Sequence, residues 1–219
     1  MATGGGTRNT HDPDRLLSGK AVGQSRLRFA ANEIICRQDD PAEALFYVEV
    51  GQVHISVVTP SGKQAVIGLR GEGDFFGVRS LLSGDHRLAT VTASTDCTIM
   101  RIKKTGVKRL LRDHVDFAEM FISYLLRQHL RDQESLIDQL TNSAEKRLAR
   151  VMLQLANYSR ADDTLTVRAN QTMLANMTGT TRARVNLFMN KFRRHGYIEY
   201  DGQGLITVRN ALRKVLFDD

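Results

Sequence analysis

At 219 residues, 42% of them hydrophobic, the chain is long enough for one or two domains that each bury a real core. No run of 18 apolar residues occurs, which argues against a transmembrane helix. The two cysteines, Cys36 and Cys97, lie too far apart for a thiolate metal site and too few for an iron–sulfur cluster.

Segment 1–23 is polar, lacks the apolar core of a secretory signal, and reads as a flexible tail. From Ser25 to about Lys104, short apolar stretches alternate with turn signals. Glu33–Cys36, Ala44–Val50, Val53–Val58 and Ala65–Leu69 read as strands. Asp39–Pro41, Gly51, Pro60–Gly62 and Gly71–Asp74 cut between them, and Val91–Ile102 resumes the pattern. Turns about every ten residues predict a compact β-barrel or roll over 24–104. Both cysteines lie in apolar, strand-like contexts and read as small core residues.

At Thr105 the period changes. Val107, Leu110 and Leu111 predict a short helix, and a long helix follows from about Asp116 to Gln139. Phe117, Phe121, Tyr124 and Leu125 make one apolar stripe. Leu126, Leu130, Ile137 and Leu140 make another, offset round the axis. A helix apolar on two sides needs two partners, such as its own barrel and a second subunit. The stripe is interrupted by the polar run Arg131–Ser135. These helices, 105–141, separate the roll from a third unit at 142–219.

That unit opens with Asn142–Glu145, which reads as a capping box. Leu148, Val151, Met152 and Leu155 form the inner face of the helix it starts. Tyr158–Asp163 reads as a loop. Residues 171–198 then read as a helix, a glycine turn at Gly179 and a second helix that Thr180 or Thr181 can cap. Val185, Phe188, Met189 and Phe192 are its buried stripe. Arg182, Arg184, Asn186, Asn190, Lys191, Arg193 and Arg194 crowd the opposite face, with no acid between Thr180 and Arg194. An amphipathic helix with a cationic, amide-rich face suits a DNA major groove. Tyr197–Tyr200 and Leu205–Val208 predict a hairpin, the wing of a winged helix-turn-helix, whose turn at Gly202–Gly204 is placed to brush the flanking backbone. Ala211–Phe217 predicts a short terminal helix. The net charge of +7 agrees with this division. Residues 142–219 hold 13 Lys/Arg against 7 Asp/Glu, a net +6, while residues 1–141 hold 18 against 17.

A β-roll, a long helix and a winged helix-turn-helix in this order resemble one family closely, the bacterial transcription regulators of the cyclic-AMP receptor protein and Fnr type. The resemblance covers roughly residues 25–217. It rests on Gly51 after a strand, Gly73-Asp-Phe-Phe-Gly77, Arg87-Leu-Ala-Thr-Val91, Glu145-Lys-Arg-Leu148, and Gly179-Thr-Thr-Arg182 followed by Val185. It implies an α+β fold, a homodimer paired through its long helices, cytoplasmic location, and double-stranded DNA as partner. An activator of this family also touches RNA polymerase. The resemblance places Thr181 on phosphate and Arg182 on a guanine edge. Arg184, Asn186, which suits adenine, and Lys191 stand beside them. Ala183 replaces a cytosine-reading Glu and Leu187 a further reading Arg, so the half-site should differ from that of the cyclic-AMP type.

The resemblance also implies an effector pocket at Phe76, Gly77, Val78, Arg79, Ser80, Arg87, Leu88 and Ala89, with Asp132 and Gln133 supplied by the long helix. In the family's cyclic-nucleotide binders, backbone N–H groups and an Arg hold the cyclic phosphate, and a Glu directly after the Gly accepts from the ribose 2′-hydroxyl. Here Val78 and Arg79 follow Gly77, and Arg87 stands at the phosphate Arg. Leu88 replaces a Ser or Thr, and Asp132-Gln133 replaces the Thr-Ser pair that meets adenine. Arg87 and nearby amides still suit an anion. The expectation is an absent or non-standard effector, with a cyclic nucleotide or another anionic ligand as alternatives. No nucleophile–base set, paired-carboxylate motif or P-loop stands out, so the reading is a regulator and not an enzyme. A module acting through protein partners is the remaining alternative. His54, His86, His114 and His129 are scattered, without metal-ligand spacing.

Overall fold

The computed structural model describes residues 23–62, 64–82, 86–158, 165–200 and 204–217. The segment expected to be a tail lies outside the described residues except for Gly23, as do most of the expected loop at Tyr158–Asp163 and Gly202 and Gln203 of the wing.

Among the described residues of the N-terminal half, eight strands form two antiparallel sheets. One runs β1 (Gln24–Phe29), β8 (Cys97–Lys103), β3 (Ala44–Val50), β6 (Phe75–Phe76). The other runs β2 (Ile34–Cys36), β7 (Thr90–Ala93), β4 (Val53–Val58), β5 (Gln64–Arg70). Strand β3 is apolar without alternation because both its faces are covered. Ala44, Phe46 and Val48 pack with Val53, Val91 and Ile99 in one cluster, whereas Leu45 and Tyr47 pack toward helices in another. The two residues of β6 divide in the same way. Phe76 stacks on Phe46 with ring centroids 4.9 Å apart, and Phe75 meets Phe121 edge-on at 5.3 Å.

Helix α1 (Lys104–Asp113) and helix α2 (Val115–Thr141) follow, as the change of period predicts. Phe117, Met120, Phe121 and Tyr124 of α2 are buried against the roll. Ile122, Leu126, Leu130, Ile137 and Leu140 are between 56% and 77% exposed. At 100° per residue, these five fall within an arc of about 80°. The second apolar stripe therefore exists and is uncovered in the single chain.

Tyr124 clamps α2 to the roll. Its hydroxyl donates to the Phe75 carbonyl at 2.8 Å and accepts from the Phe75 N–H at 2.9 Å. Burial, with the Asp74 carboxylate nearby, pushes its pKa from 10.0 up to about 12. Tyr124→Phe leaves two buried backbone groups without this partner and is expected to lose about 1–3 kcal/mol at neutral pH. The raised pKa means that only the unfolded chain releases the proton between pH 10.0 and about 12. The wild-type advantage is full below that window and shrinks as pH rises through it. Chemical denaturation of both proteins at pH 7 and pH 11 measures the difference, and a gap that widens at pH 11 contradicts this account.

The third unit comprises α3 (Ala144–Tyr158), β9 (Leu165–Arg168), α4 (Gln171–Thr178), α5 (Arg182–Arg194), β10 (Ile198–Tyr200), β11 (Leu205–Val208) and a terminal 3-10 helix (Asn210–Leu216). Its core joins Leu148 and Met152 of α3, Leu174 of α4, Val185, Met189 and Phe192 of α5, and Ile206 and Leu212. Three details differ from the sequence expectation. The hairpin gains a third strand, in the order β10-β11-β9. The terminal helix is 3-10. The capping box does not form. Ser143 Oγ accepts from the Lys146 N–H at 3.3 Å, Asn142 donates instead to Asp138 at 2.7 Å, and Glu145 pairs with Lys191. The acid is drawn away because α5 brings it a cation, a stronger partner than a neutral N–H. Among the described residues, no helix is long and apolar enough to cross a membrane.

Candidate nucleic-acid interface and sensor cavity

The helix pair is built by local chemistry. Asn170 caps α4 by accepting from the Met173 N–H at 2.8 Å. Gly179 ends α4 at φ 62°, a left-handed conformation that favours glycine, and this turns the chain into the next helix. Thr181 then caps α5, accepting from the Arg184 N–H at 3.3 Å. With Val185, Met189 and Phe192 held inside, geometry leaves Arg182, Ala183, Arg184, Asn186, Leu187, Lys191, Arg193 and Arg194 exposed. Thr181 and Arg182 sit at the helix N-terminus, where unpaired N–H groups favour phosphate. Lys191 stands further along and forms an ion pair with Glu145 at 2.8 Å.

A ladder of amides orients the middle of this face. Arg193 donates to Asn190 Oδ1 at 3.2 Å, Asn190 Nδ2 donates to Asn186 Oδ1 at 3.4 Å, and Gln171 Nε2 donates to the same oxygen at 3.1 Å. A guanidinium only donates, so Asn190 must turn its carbonyl to Arg193 and its amide to Asn186. Asn186 therefore presents Nδ2. Pairing with adenine at two points requires Oδ1 as well, so Asn186 has to exchange both donors to make that contact.

The unit is stitched to α2 by residues that sequence reasoning missed. Arg147 donates to the carbonyl of Gln139 on α2 at 3.4 Å, to that of Asn142 just past its end at 2.8 Å, and to that of Thr178 in α4 at 3.1 Å. Arg150 forms an ion pair with buried Asp138. Leu69 of β5 packs against the core of the third unit. No sequence signal distinguishes these cations from the exposed ones nearby, since their acceptors come from other helices.

The roll holds a cavity of about 190 Å³. Gly77, Val78, Arg79 and Ser80 border it at the 3-10 turn Val78–Leu81, and Arg87, Leu88 and Ala89 border it from the approach to β7. Arg87 is 9% exposed, its guanidinium 4.9 Å from the Phe46 ring centre and 3.4 Å from the Ala44 carbonyl. Gly77, at φ 78°, lets that guanidinium approach, since a Cβ there meets Arg87 Nη1 at 3.0 Å. Three expected pocket residues stand elsewhere. Phe76 lies in the inter-sheet core, stacked on Phe46. Asp132 lines the cleft between β5 and the third unit, and Gln133 is exposed on α2. Cys36 borders the cavity and Cys97 is buried nearby in the same cluster. Burial pushes both thiols up, away from reactive thiolate. Among the described residues, no group of three His, Cys, Asp or Glu is arranged to hold a metal.

A β-roll with a cavity bordered by a buried arginine, a long helix and a basic winged helix-turn-helix define a DNA-binding transcription regulator. Residues 26–114 match the cyclic nucleotide-binding domain family and residues 146–215 the Crp-like helix-turn-helix domain family. The chain belongs to the Crp/Fnr family of transcription regulators. It is 22% identical over 182 residues to the CRP-like cAMP-activated global transcriptional regulator of Mycobacterium tuberculosis, with 81% of each chain covered. Its fold superposes on FixK2 from Bradyrhizobium japonicum with a TM-score of 0.77 at 18% identity, covering 89% of this chain and 98% of that one. It also superposes on the c-di-GMP responsive global regulator CLP of Xanthomonas campestris, with a TM-score of 0.73 at 20% identity, covering 85% and 94%.

Proposed function

We propose that the protein acts in the cytoplasm as a homodimer that reads a palindromic DNA site, each α5 entering one half-site, under an effector other than cyclic AMP. The acid-free, exposed face of α5, set at the end of a helix with an uncovered apolar stripe, carries this reading. Two recognition helices held on paired long helices meet successive major grooves about one DNA turn apart. Arg182 is assigned to a guanine edge, Thr181 to phosphate, and Arg184, Asn186 and Lys191 to flanking contacts, with Ala183 offering only a methyl.

Selection of DNA from a randomised palindromic library by the purified protein tests this. Arg182→Ala is expected to lower affinity by about 1–3 kcal/mol and to relax preference at one base pair per half-site. A uniform loss across sequences with a smaller salt slope assigns Arg182 to phosphate instead.

The cavity argues against a cyclic nucleotide. Its volume of about 190 Å³ is below the roughly 300–1,000 Å³ of drug-sized sites. Val78 offers no acceptor to a ribose hydroxyl. Leaving that hydroxyl unpaired costs about 1–3 kcal/mol, or one to two decades of affinity. Leu88 is 62% exposed and supplies no hydroxyl, and neither Asp132 nor Gln133 of the same chain borders the cavity. Relatives named for cyclic AMP and for c-di-GMP share the fold, so the fold does not select the effector.

A further inference from the structure

We propose that the sensor cavity takes a small apolar monocarboxylate, a single ring or branched chain bearing one carboxylate, held by Arg87 and Ser80. This rests on reading the roll as the sensor. Two polar groups at the cavity are left wanting. Arg87 is buried, and among the described residues no carboxylate pairs with it. It meets only the Ala44 carbonyl, at a long 3.4 Å, and the face of Phe46 among the described residues. Ser80 is fully buried, and its Oγ has no hydrogen-bond partner. Buried charges are ordinarily paired and buried hydroxyls bonded, so a guanidinium with no carboxylate among the described residues and an unmet hydroxyl, bordering one cavity, suit an anionic acceptor.

The neighbouring groups do not supply that anion. Burial keeps Cys36 a neutral thiol, and Arg79 on the rim is exposed and cationic. A planar carboxylate offers two oxygens, enough for the guanidinium fork and one hydroxyl. The rest of the wall is Ile55, Ile67, Val78, Leu88 and Val91. Such a wall binds hydrocarbon and rejects a sugar. Size sets the remainder, since an apolar cavity of about 150 Å³ suffices for benzene. The ligand's apolar part is then one ring or its aliphatic equivalent.

Calorimetry on the full-length protein tests this with benzoate, 3-methylbutanoate, benzamide, inorganic phosphate and cyclic AMP. One benzoate or 3-methylbutanoate per chain is expected, with benzoate at least about tenfold tighter than benzamide, its neutral counterpart. Ser80→Ala is expected to weaken benzoate about tenfold while leaving the Tm of the ligand-free protein unchanged or raised, because it removes an unpaired buried hydroxyl. Arg87→Met is expected to weaken it about 10- to 100-fold. Where Arg87→Met does not fold, Ser80→Ala and the benzamide comparison decide. Equal binding of benzoate and benzamide, binding of phosphate alone, cyclic AMP tighter than both carboxylates, or no carboxylate binding up to about 10 mM each overturns the proposal. Retained DNA selection by the same preparation separates that failure from failure of the regulator reading.

Discussion

Leu126→Glu combined with Leu130→Glu is expected to convert the protein to a monomer and to lower its affinity for the selected palindrome about 10²–10⁴-fold. Both leucines are exposed in the single chain, 61% and 57%, so neither change removes a contact of the folded roll. The loss falls on association alone. Two carboxylates in an apolar seam repel their symmetry mates and lose solvation. Each α5 then binds a half-site without the effective concentration its twin provides. Sedimentation should show half the mass, while circular dichroism and the Tm of the roll stay as in wild type. A dimer of unchanged affinity sinks the assignment of this stripe as the subunit interface. A monomer with undiminished affinity for the palindrome sinks the two-helix reading of DNA.

The two stripes of α2 are also the clearest case of structure legible in sequence. Aromatic residues at 117, 121 and 124 bury against the roll, and the offset aliphatic stripe stays free, as its periodicity predicts. Strand β3 is legible for a related reason, since an unbroken apolar run identifies a strand covered on both faces. Short or edge elements were less visible. Strand β9 has four residues, too few for alternation to register, and follows a polar segment. Strand β1 carries Arg26 and Arg28, because an edge strand turns polar side chains outward, and Arg26 is tied to Glu49 at 2.6 Å. Polar partner choice was the least legible feature. The composition of Asn142–Glu145 suits a capping box, yet Glu145 answers Lys191, a residue 46 positions away. Asn186 looked free to read adenine, yet its carbonyl is held from α4 and from the next turn of α5. In each case the deciding neighbour arrives through tertiary packing, which local pattern does not encode. The site residues of α5 were legible because their exposure follows from helix period alone. The sensor cavity was legible only as a departure from family pattern, since the lack of a partner for the Ser80 hydroxyl and of a carboxylate for Arg87 depends on which walls close round them.

Phe192→Ala is expected to destabilise the DNA-reading unit by about 3–5 kcal/mol and to abolish binding to every sequence alike. Phe192 is fully buried on α5, among the side chains of α3, α4 and the wing. Truncation removes its transfer energy and leaves a cavity where the three helices meet. Small units of this kind are stabilised by only about 5–15 kcal/mol, so the loss is a large share of the total. The unit, residues 142–219, is about 80 residues long, and its melting temperature should fall by at least about 12 °C. The roll and α2 keep their own two clusters and should melt near the wild-type temperature, splitting one thermal transition into two. The contrast with Arg182→Ala separates scaffold from reader. The arginine is exposed, so its loss should leave the single transition in place and alter preference at one base pair. The phenylalanine touches no DNA, so its loss should remove affinity without changing preference in whatever binding survives at low temperature. A Phe192→Ala protein with wild-type melting but altered base preference would place this side chain in the groove and reverse the orientation of α5 assigned here.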